Sequence, residues 1–344
     1  MPRLFSRHSL VLQTSFAEIK RRATELASVP VGSPGSVGIR EVKGRKFYYR
    51  QFYDASGRKA ADYLGPVDDA KAEARARSVR EEIAATTSLV KEVRILVQQG
   101  YVRADPRTSA ILGALANHRL FHGGALLVGS HAYGALLNEL GIRAAAFFTE
   151  DVDIARGEAL QIAGDGNFEQ ILAASTVPLI AVPGLGRKAP TTSYKAPGND
   201  RLRVDLLAPA RGRDTTTQAV PELQAHATAL PYLAYLLEAP IEGVVLGRES
   251  VVPVRIPRAE RFAWHKMFVS QARSATSEKK NKDILQASVL FAALVEDAPG
   301  ALDEALAAMP RGARSKAMAG AKAVLRQLDT AGHERAAEAL KDLL

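Results

Sequence analysis

Two short motifs in the chain carry residues that could bind phosphate and a metal ion. Gly129 and Ser130 end the apolar run ALLVGS and open a helical pattern. Free backbone N–H groups and the helix dipole favour phosphate at such a position. Asp151 and Asp153 lie in DVDIA, a strand pattern that points both side chains to one face. Because neighbouring carboxylates repel each other unless a cation lies between them, we expect Mg²⁺ there, with Mn²⁺ as an alternative.

A third carboxylate, that of Asp205, stands in the apolar pattern RLRVDLLAP. An unpaired acid inside a buried strand would be costly, so this residue needs a partner or a role. If its strand lies beside the strand of Asp151 and Asp153, the three carboxylates converge. We expect all three to hold the metal, with Asp205 also helping to deprotonate an attacking hydroxyl group.

The combination resembles the DNA-polymerase-β-like nucleotidyltransferase superfamily, whose signature is Gly-Ser, a helix, Asp-x-Asp on a strand and an acid on a later strand. The five residues named above match that signature position by position, within residues 120–210. The wider layout is similar to a bacterial branch of the superfamily and, distantly, to proteins of the AbiEii type. The resemblance implies a Mg²⁺-dependent enzyme that transfers a nucleotidyl group from an NTP, such as ATP, to a hydroxyl group and releases pyrophosphate. The insert GIRAAAFFTE separates the two motifs by more residues than in compact members of the superfamily. The substrates of those compact members are therefore not assigned to this chain.

Helical segments near the C-terminus carry candidate phosphate ligands. The resemblance implies that basic residues of a C-terminal helical domain contact the triphosphate. By this resemblance Lys266, Lys282 and Arg273 are candidate nucleotide-binding residues, with His265 behind them. Positioned cations stabilise the charge that develops on a leaving pyrophosphate. The alternative is that these residues lie on solvated helix faces or form structural ion pairs, such as one between Asp283 and a nearby cation.

Hydrophobic periodicity divides the chain into a basic N-terminal extension over residues 1–105, a core over 106–215 and a C-terminal helical domain over 216–344. The extension is expected to contain a helix, a β-hairpin around DASGR and a long second helix. In the core the period switches between strand and helix, which predicts a mixed sheet. Beyond Pro221 the chain is expected to be almost wholly helical. The expected fold is α+β, with the polymerase-β-like core implied by the resemblance.

Composition excludes several kinds of protein. No apolar run reaches the ~20 residues that a membrane span needs, and no signal-peptide cleavage site follows the N-terminal residues. The chain has no cysteine, which excludes disulfides, thiolate metal sites and cysteine nucleophiles. We therefore expect a cytoplasmic globular protein with no membrane partner.

The distribution of charge indicates a polyanionic partner. The net charge is +9, and residues 1–100 hold 18 Lys and Arg against 11 Asp and Glu. The hairpin mixes cations with aromatic residues, as RNA- or DNA-binding sheets do, although any two-sided hairpin can show this pattern. RNA, tRNA in particular, is the favoured acceptor, while a protein hydroxyl group or a small molecule stays open, as does an antitoxin or other protein partner. The alternative hypothesis is a nucleic-acid-binding or regulatory protein whose nucleotidyltransferase fold is catalytically inactive.

Overall fold

The computed structural model describes most of the chain, namely residues 3–146, 149–162, 166–184, 189–272 and 278–344. Apolar residues at period two build its strands, and apolar residues at helical spacing build its helices. Within the described ranges, no helix has both the length and the apolar character needed to cross a membrane. The candidate residue Arg273 lies outside the described residues.

The N-terminal part forms two helices and a small antiparallel sheet. Its elements are β1 (Phe5–Arg7), α1 (Leu10–Thr24), β2 (Ser36–Val42), β3 (Arg45–Tyr53), β4 (Lys59–Pro66) and α2 (Ala70–Gln98). The predicted hairpin is present as β3 and β4, and β2 adds a third strand in the order β2-β3-β4. The extra strand arises because the chain turns at Lys43 and Gly44, whose φ angles are +50° and +74°. A two-residue turn with both φ angles positive matches the twist of an antiparallel pair.

The central part forms a mixed sheet with helices against it. Its elements are α3 (Pro106–Asn117), β5 (Ala125–Val128), α4 (Gly129–Glu139), β6 (Ile142–Ala144), β7 (Asp151–Arg156), α5 (Phe168–Ala173), β8 (Ile180–Ala181), β9 (Ser193–Lys195), β10 (Arg203–Pro209), β11 (Thr216–Val220) and β12 (Ala225–Leu230). The main path of the sheet is β11-β12-β10-β7-β5, and β9 joins β10 and β8. β10 runs parallel to β7 and β12, whereas β5 is antiparallel to β7. The predicted α+β fold with a mixed sheet is confirmed.

The insert after α4 forms a strand that ties the N-terminus to the core. Residues 142–144 make β6, which pairs antiparallel with β1. The pairing joins Phe5 to Ala144 and Arg7 to Ile142. The part of the insert at residues 147–148 lies outside the described residues.

Helices connected by short turns make up the described residues from Ala259 onward. The elements of the C-terminal part are α6 (Leu233–Leu237), β13 (Ile241–Leu246), β14 (Val251–Ile256), α7 (Ala259–Ala272), α8 (Glu278–Asp297), α9 (Pro299–Ala307), α10 (Arg311–Thr330) and α11 (Glu334–Leu343). The expectation of an almost wholly helical chain beyond Pro221 is wrong for β12, β13 and β14. IEGVVL and VVPVRI are short β-branched runs that pair as a hairpin, and β12 adds to the core sheet. The sheet therefore continues past residue 215, and the proposed domain limits stay a prediction.

One apolar core joins the sheet to the C-terminal helices. Ile154 and Leu206 from the sheet belong to the same buried cluster as Trp264 of α7 and Phe291 of α8. The single tryptophan is fully buried, and its Nε1–H donates a hydrogen bond to the carbonyl oxygen of Leu302 at 2.9 Å. The core therefore fixes α7 and α8 against the sheet that carries the acidic residues.

Candidate active site

The turn between β5 and α4 requires glycine at position 129 for two reasons. Its φ angle of +67° lies in the left-handed region that side chains disfavour. A Cβ atom at this position would lie 2.0 Å from Oδ2 of Asp153. Ser130 follows in the first turn of α4, whose N-cap residue is Val128 and which has no side-chain cap. The first N–H groups of α4 are therefore placed to receive an anion next to an acidic side chain.

The register of two parallel strands brings the three predicted carboxylates to one side of the sheet. Asp153 on β7 pairs with Asp205 on β10, and Asp151 pairs with Arg203. The intervening Val152 and Val204 are fully buried. Because alternate residues of a strand share a face, the three acidic side chains project together, as the sequence predicts.

Asp153 lies directly beneath the Gly129 turn. Burial raises the pKa of its carboxyl group to about 6, and the charges of Asp205 and Asp151 act in the same direction. Lys266 and Lys279 oppose this shift. The proton is therefore held far more tightly than on an ordinary aspartate, and a nearby cation would release it.

Asp205 is held by two residues that sequence reasoning did not select. Its Oδ1 accepts a hydrogen bond from Nε of Arg203 at 2.7 Å and another from the hydroxyl group of Ser193. Nη2 of Arg203 in turn donates to Oγ of Ser193 at 2.7 Å. Arg203 could have been found, because it stands two residues before Asp205 on the same strand face. Ser193 could not, since its place depends on the pairing of β9 with β10.

Lysines of α7 and α8 lie close enough to the carboxylates to interact with their charge. Nζ of Lys279 lies 3.7 Å from Oδ2 of Asp151, in a pair whose side chains are 66% and 41% exposed. Burial and the charge of Lys266 lower the pKa of Lys282, and the opposite influence of Asp283 and Asp151 offsets this shift only in part. Lys279 was not among the candidates chosen from the sequence, yet its ammonium group lies within ion-pair distance of an acid of the site.

Lys266 forms the structural ion pair that the sequence offered as an alternative. Its Nζ lies 2.7 Å from Oδ1 of Asp283, and both side chains are almost completely buried. Its charge nevertheless reaches the site, because it lowers the pKa of Asp153. Its neighbour His265 is uncharged at neutral pH, since burial lowers the pKa of its imidazole to about 3.

A cavity of about 400 Å³ opens beside the first turn of α4. Ser130, His131 and Tyr101 line it, together with Asp105 and Arg143. Burial lowers the pKa of His131 to about 4, so its ring is neutral at neutral pH. Within the described part of the chain, Nε2 of His131 and the hydroxyl group of Tyr101 have no hydrogen-bond partner. Both atoms are buried beneath the cavity wall, and neither residue was a candidate from the sequence.

The donor set fits a hard divalent cation in its chemistry. Three carboxylates stand on one side of the sheet, and the chain has no thiolate that would favour a softer metal. Burial is the main cause of the raised pKa of Asp153, and the repulsion by Asp205 and Asp151 that adds to it is the kind that Mg²⁺ relieves. Over the described ranges, no group of three or more Asp, Glu or His side chains is already arranged as a metal site. The third carboxylate, that of Asp205, forms an ion pair with Arg203. Its role as a metal ligand therefore stays a prediction.

Comparison with known proteins identifies the family. No curated protein and no solved structure matches the chain. A family model described as Nucleotidyltransferase matches residues 106–310, which is more than half of the chain and includes the turn, the acidic strands and the lysine-bearing helices. The chain therefore belongs to this nucleotidyltransferase family.

Proposed function

We propose that the protein transfers a nucleotidyl group from an NTP to a hydroxyl group of RNA, with release of pyrophosphate and with Mg²⁺ as the cofactor. The observation that carries this proposal is the register that sets Asp153 beside Asp205, with Asp153 against the Gly129 turn. Family membership supports nucleotidyl transfer in general. The acceptor and the metal belong to the proposal.

The first part of the mechanism concerns the acceptor. Asp205 takes the proton of the acceptor hydroxyl group, and the resulting oxygen attacks the α-phosphorus of the NTP. The bond from the α-phosphorus to its bridging oxygen breaks, and pyrophosphate leaves with that oxygen. Arg203 and Ser193 hold the carboxylate of Asp205 in place. A bound acceptor would displace part of this contact.

The second part concerns charge on the nucleotide. Mg²⁺, held by Asp151, Asp153 and Asp205, would polarise the phosphate oxygens and neutralise charge. The N–H groups at the start of α4 bind phosphate oxygens beside Ser130. Lys279 and Lys282 of α8 stabilise the negative charge that grows on the leaving pyrophosphate.

The cavity beside α4 is the proposed place for the nucleoside. Its volume of about 400 Å³ lies in the range of ligand pockets, and Ser130 forms part of its wall. His131 and Tyr101 line this cavity, and their buried polar atoms have no partner among the described residues, so a bound base or ribose that reached them would supply one. These contacts would decide which NTP is preferred.

The test measures transfer of label from each of the four α-labelled NTPs. The full-length protein is incubated with Mg²⁺ and, separately, with total RNA, tRNA, a lysate protein fraction and a small-molecule fraction. We expect label on RNA, and we expect Asp153→Asn to reduce it by at least about a hundredfold, which is the usual range for losing a charged catalytic group.

Each result separates the proposal from a competing one. Label on protein or on a small molecule would overturn the RNA acceptor and leave nucleotidyl transfer standing. Transfer that is unchanged in Asp153→Asn, or equal without a divalent cation, would overturn the proposed site. No transfer from any NTP, together with RNA binding, would favour an inactive nucleic-acid-binding protein.

A further inference from the structure

One side of the sheet β2-β3-β4 is covered by α2, and the other side is not. Tyr48 and Leu64 on the covered side are buried in one cluster with Ala72 and Ala76 of α2. Strand alternation sends the residues between them to the other side. This other side is called the open face below. Its rings are partly accessible, and Tyr63 is 51% exposed.

The carboxylates of this sheet are confined to one of its two sides. The pairing of the strands puts Arg40, Arg45 and Lys59 on the open face, and all three are exposed. The only carboxylates of these three strands belong to Glu41 and Asp62, and alternation puts both on the covered side. The open face therefore carries three cations and no carboxylate. This arrangement is complementary to a chain of phosphates.

The same face carries a cluster of aromatic rings between the cations. The ring centroid of Tyr63 lies 5.8 Å from that of Phe47 and 5.5 Å from that of Tyr49. The guanidinium group of Arg40 lies 5.2 Å from the ring centroid of Tyr49. Rings on an exposed sheet offer surfaces on which unpaired bases stack, while neighbouring cations follow the backbone.

We infer that the open face binds single-stranded RNA. Bases stack on Tyr49 and Tyr63, and the phosphates contact Arg40, Arg45 and Lys59. A duplex hides the faces of its bases, so the aromatic cluster favours an unpaired strand. Exposed Gln51 on the same face offers an amide to the 2′-hydroxyl group, which favours RNA over DNA.

This inference deepens the proposed function. The inference rests on the proposed function only where it takes the bound strand to be the acceptor. The binding itself follows from the face and needs no catalysis. A face that binds the strand would raise the effective concentration of the acceptor for the same protein molecule.

The experiment measures binding of a labelled single-stranded RNA of about 12 nucleotides by fluorescence anisotropy, a length within the site size of such surfaces. The full-length protein carries matched substitutions at adjacent positions of β3. Arg45→Gln and Lys46→Gln remove the same charge from exposed side chains that point to opposite sides. We expect Arg45→Gln to weaken binding about threefold to tenfold at low salt, with a shallower salt dependence, and Lys46→Gln to have less than a twofold effect.

A second matched pair tests stacking. Tyr63 on the open face and Ile39 on the covered side are 51% and 53% exposed. We expect Tyr63→Ser to weaken binding about tenfold or more and Ile39→Ser to leave it within twofold, because a stacked base is lost only in the first. Unchanged far-ultraviolet circular dichroism shows that each variant is folded.

Three outcomes would overturn the inference. They are equal weakening by the two members of either pair, tighter binding of single-stranded or duplex DNA of the same sequence, and absence of saturable RNA binding at low salt. The variant Asp153→Asn distinguishes a failure of RNA binding from a failure of the proposed catalysis. We expect that variant to bind RNA like the unchanged protein while it fails to transfer the nucleotidyl group.

Discussion

Two sheets of this protein carry charged residues by the same alternation, yet burial gives those charges different properties. In the core sheet, Asp153 lies under the Gly129 turn, and its pKa is raised to about 6. In the N-terminal sheet, Arg40 and Arg45 lie on an exposed face. Buried charges are strongly coupled to their neighbours, whereas exposed charges are screened by water and salt. Substitutions in the core site should therefore have large and interdependent effects, and those on the open face small and additive ones.

The largest effect should follow from Gly129→Ala. The new Cβ would meet Oδ2 of Asp153 at 2.0 Å, and the left-handed φ angle adds about 1–2 kcal/mol of strain. We expect nucleotidyl transfer to fall more than about a hundredfold and the protein to lose several kcal/mol of unfolding free energy, measured by chemical denaturation. Gly300→Ala is the control, because nothing lies within 4 Å of the added atom. Equal effects of the two substitutions would show that the turn is not specially constrained.

The structure also indicates which parts of this site can be predicted from sequence. The strand of Asp151 and Asp153 is a local pattern, because Val152 and Ile154 alternate with the acids. That β10 is the neighbour of β7 is not local, and the resemblance supplied it. Ser193 was missed for the same reason, since its contact with Asp205 exists only through the register of β9.

The missed hairpin shows a different limit. β13 and β14 are short, nearly continuous apolar runs, and periodicity alone does not separate such a strand from a piece of buried helix. The sequence indicated the mixture of cations and aromatic residues in this hairpin but not its open face, because alternation gives two sides and does not say which side α2 covers. In both cases the deciding information is a contact between distant segments.

The second prediction concerns the pH dependence of stability at Asp153. Its pKa is raised from 3.8 to about 6 in the folded protein, so stability is fully present below about pH 4 and is lost as the pH rises through 6. Asp153→Asn removes this loss. In the absence of divalent cations, we expect the variant to become more stable than the unchanged protein between pH 4 and 6, by up to about 3 kcal/mol.

The measurement is chemical denaturation from pH 4 to 8, with and without Mg²⁺. Added Mg²⁺ should stabilise the unchanged protein above pH 6 and leave Asp153→Asn unaffected, because a ligand stabilises only the state that binds it. A difference between the two proteins that does not change with pH would show that burial does not perturb this carboxyl group.

The third prediction separates two roles of Lys266. Asp283→Asn leaves the buried Lys266 ammonium without its ionic partner and should cost about 3–5 kcal/mol. The double substitution Lys266→Met with Asp283→Leu removes both charges, so most of that stability should return. We expect the double variant to recover its fold but to keep a raised KM for the NTP, because the charge near Asp153 is gone. Full recovery of KM would make Lys266 a structural residue only.

The smallest effect should come from Lys279. Its ammonium group is largely exposed, although the residue lies beside the active site. Its pair with Asp151 spans 3.7 Å between largely exposed groups, so the pair contributes at most about 1 kcal/mol and is screened by salt. Lys279→Gln should leave unfolding unchanged and raise KM for the NTP a few-fold at low salt, with less effect at high salt. Lys280→Gln, one residue along α8, is the matched control. If the two variants raise KM equally, Lys279 acts only through the general positive field, and position within the site does not matter for exposed charges.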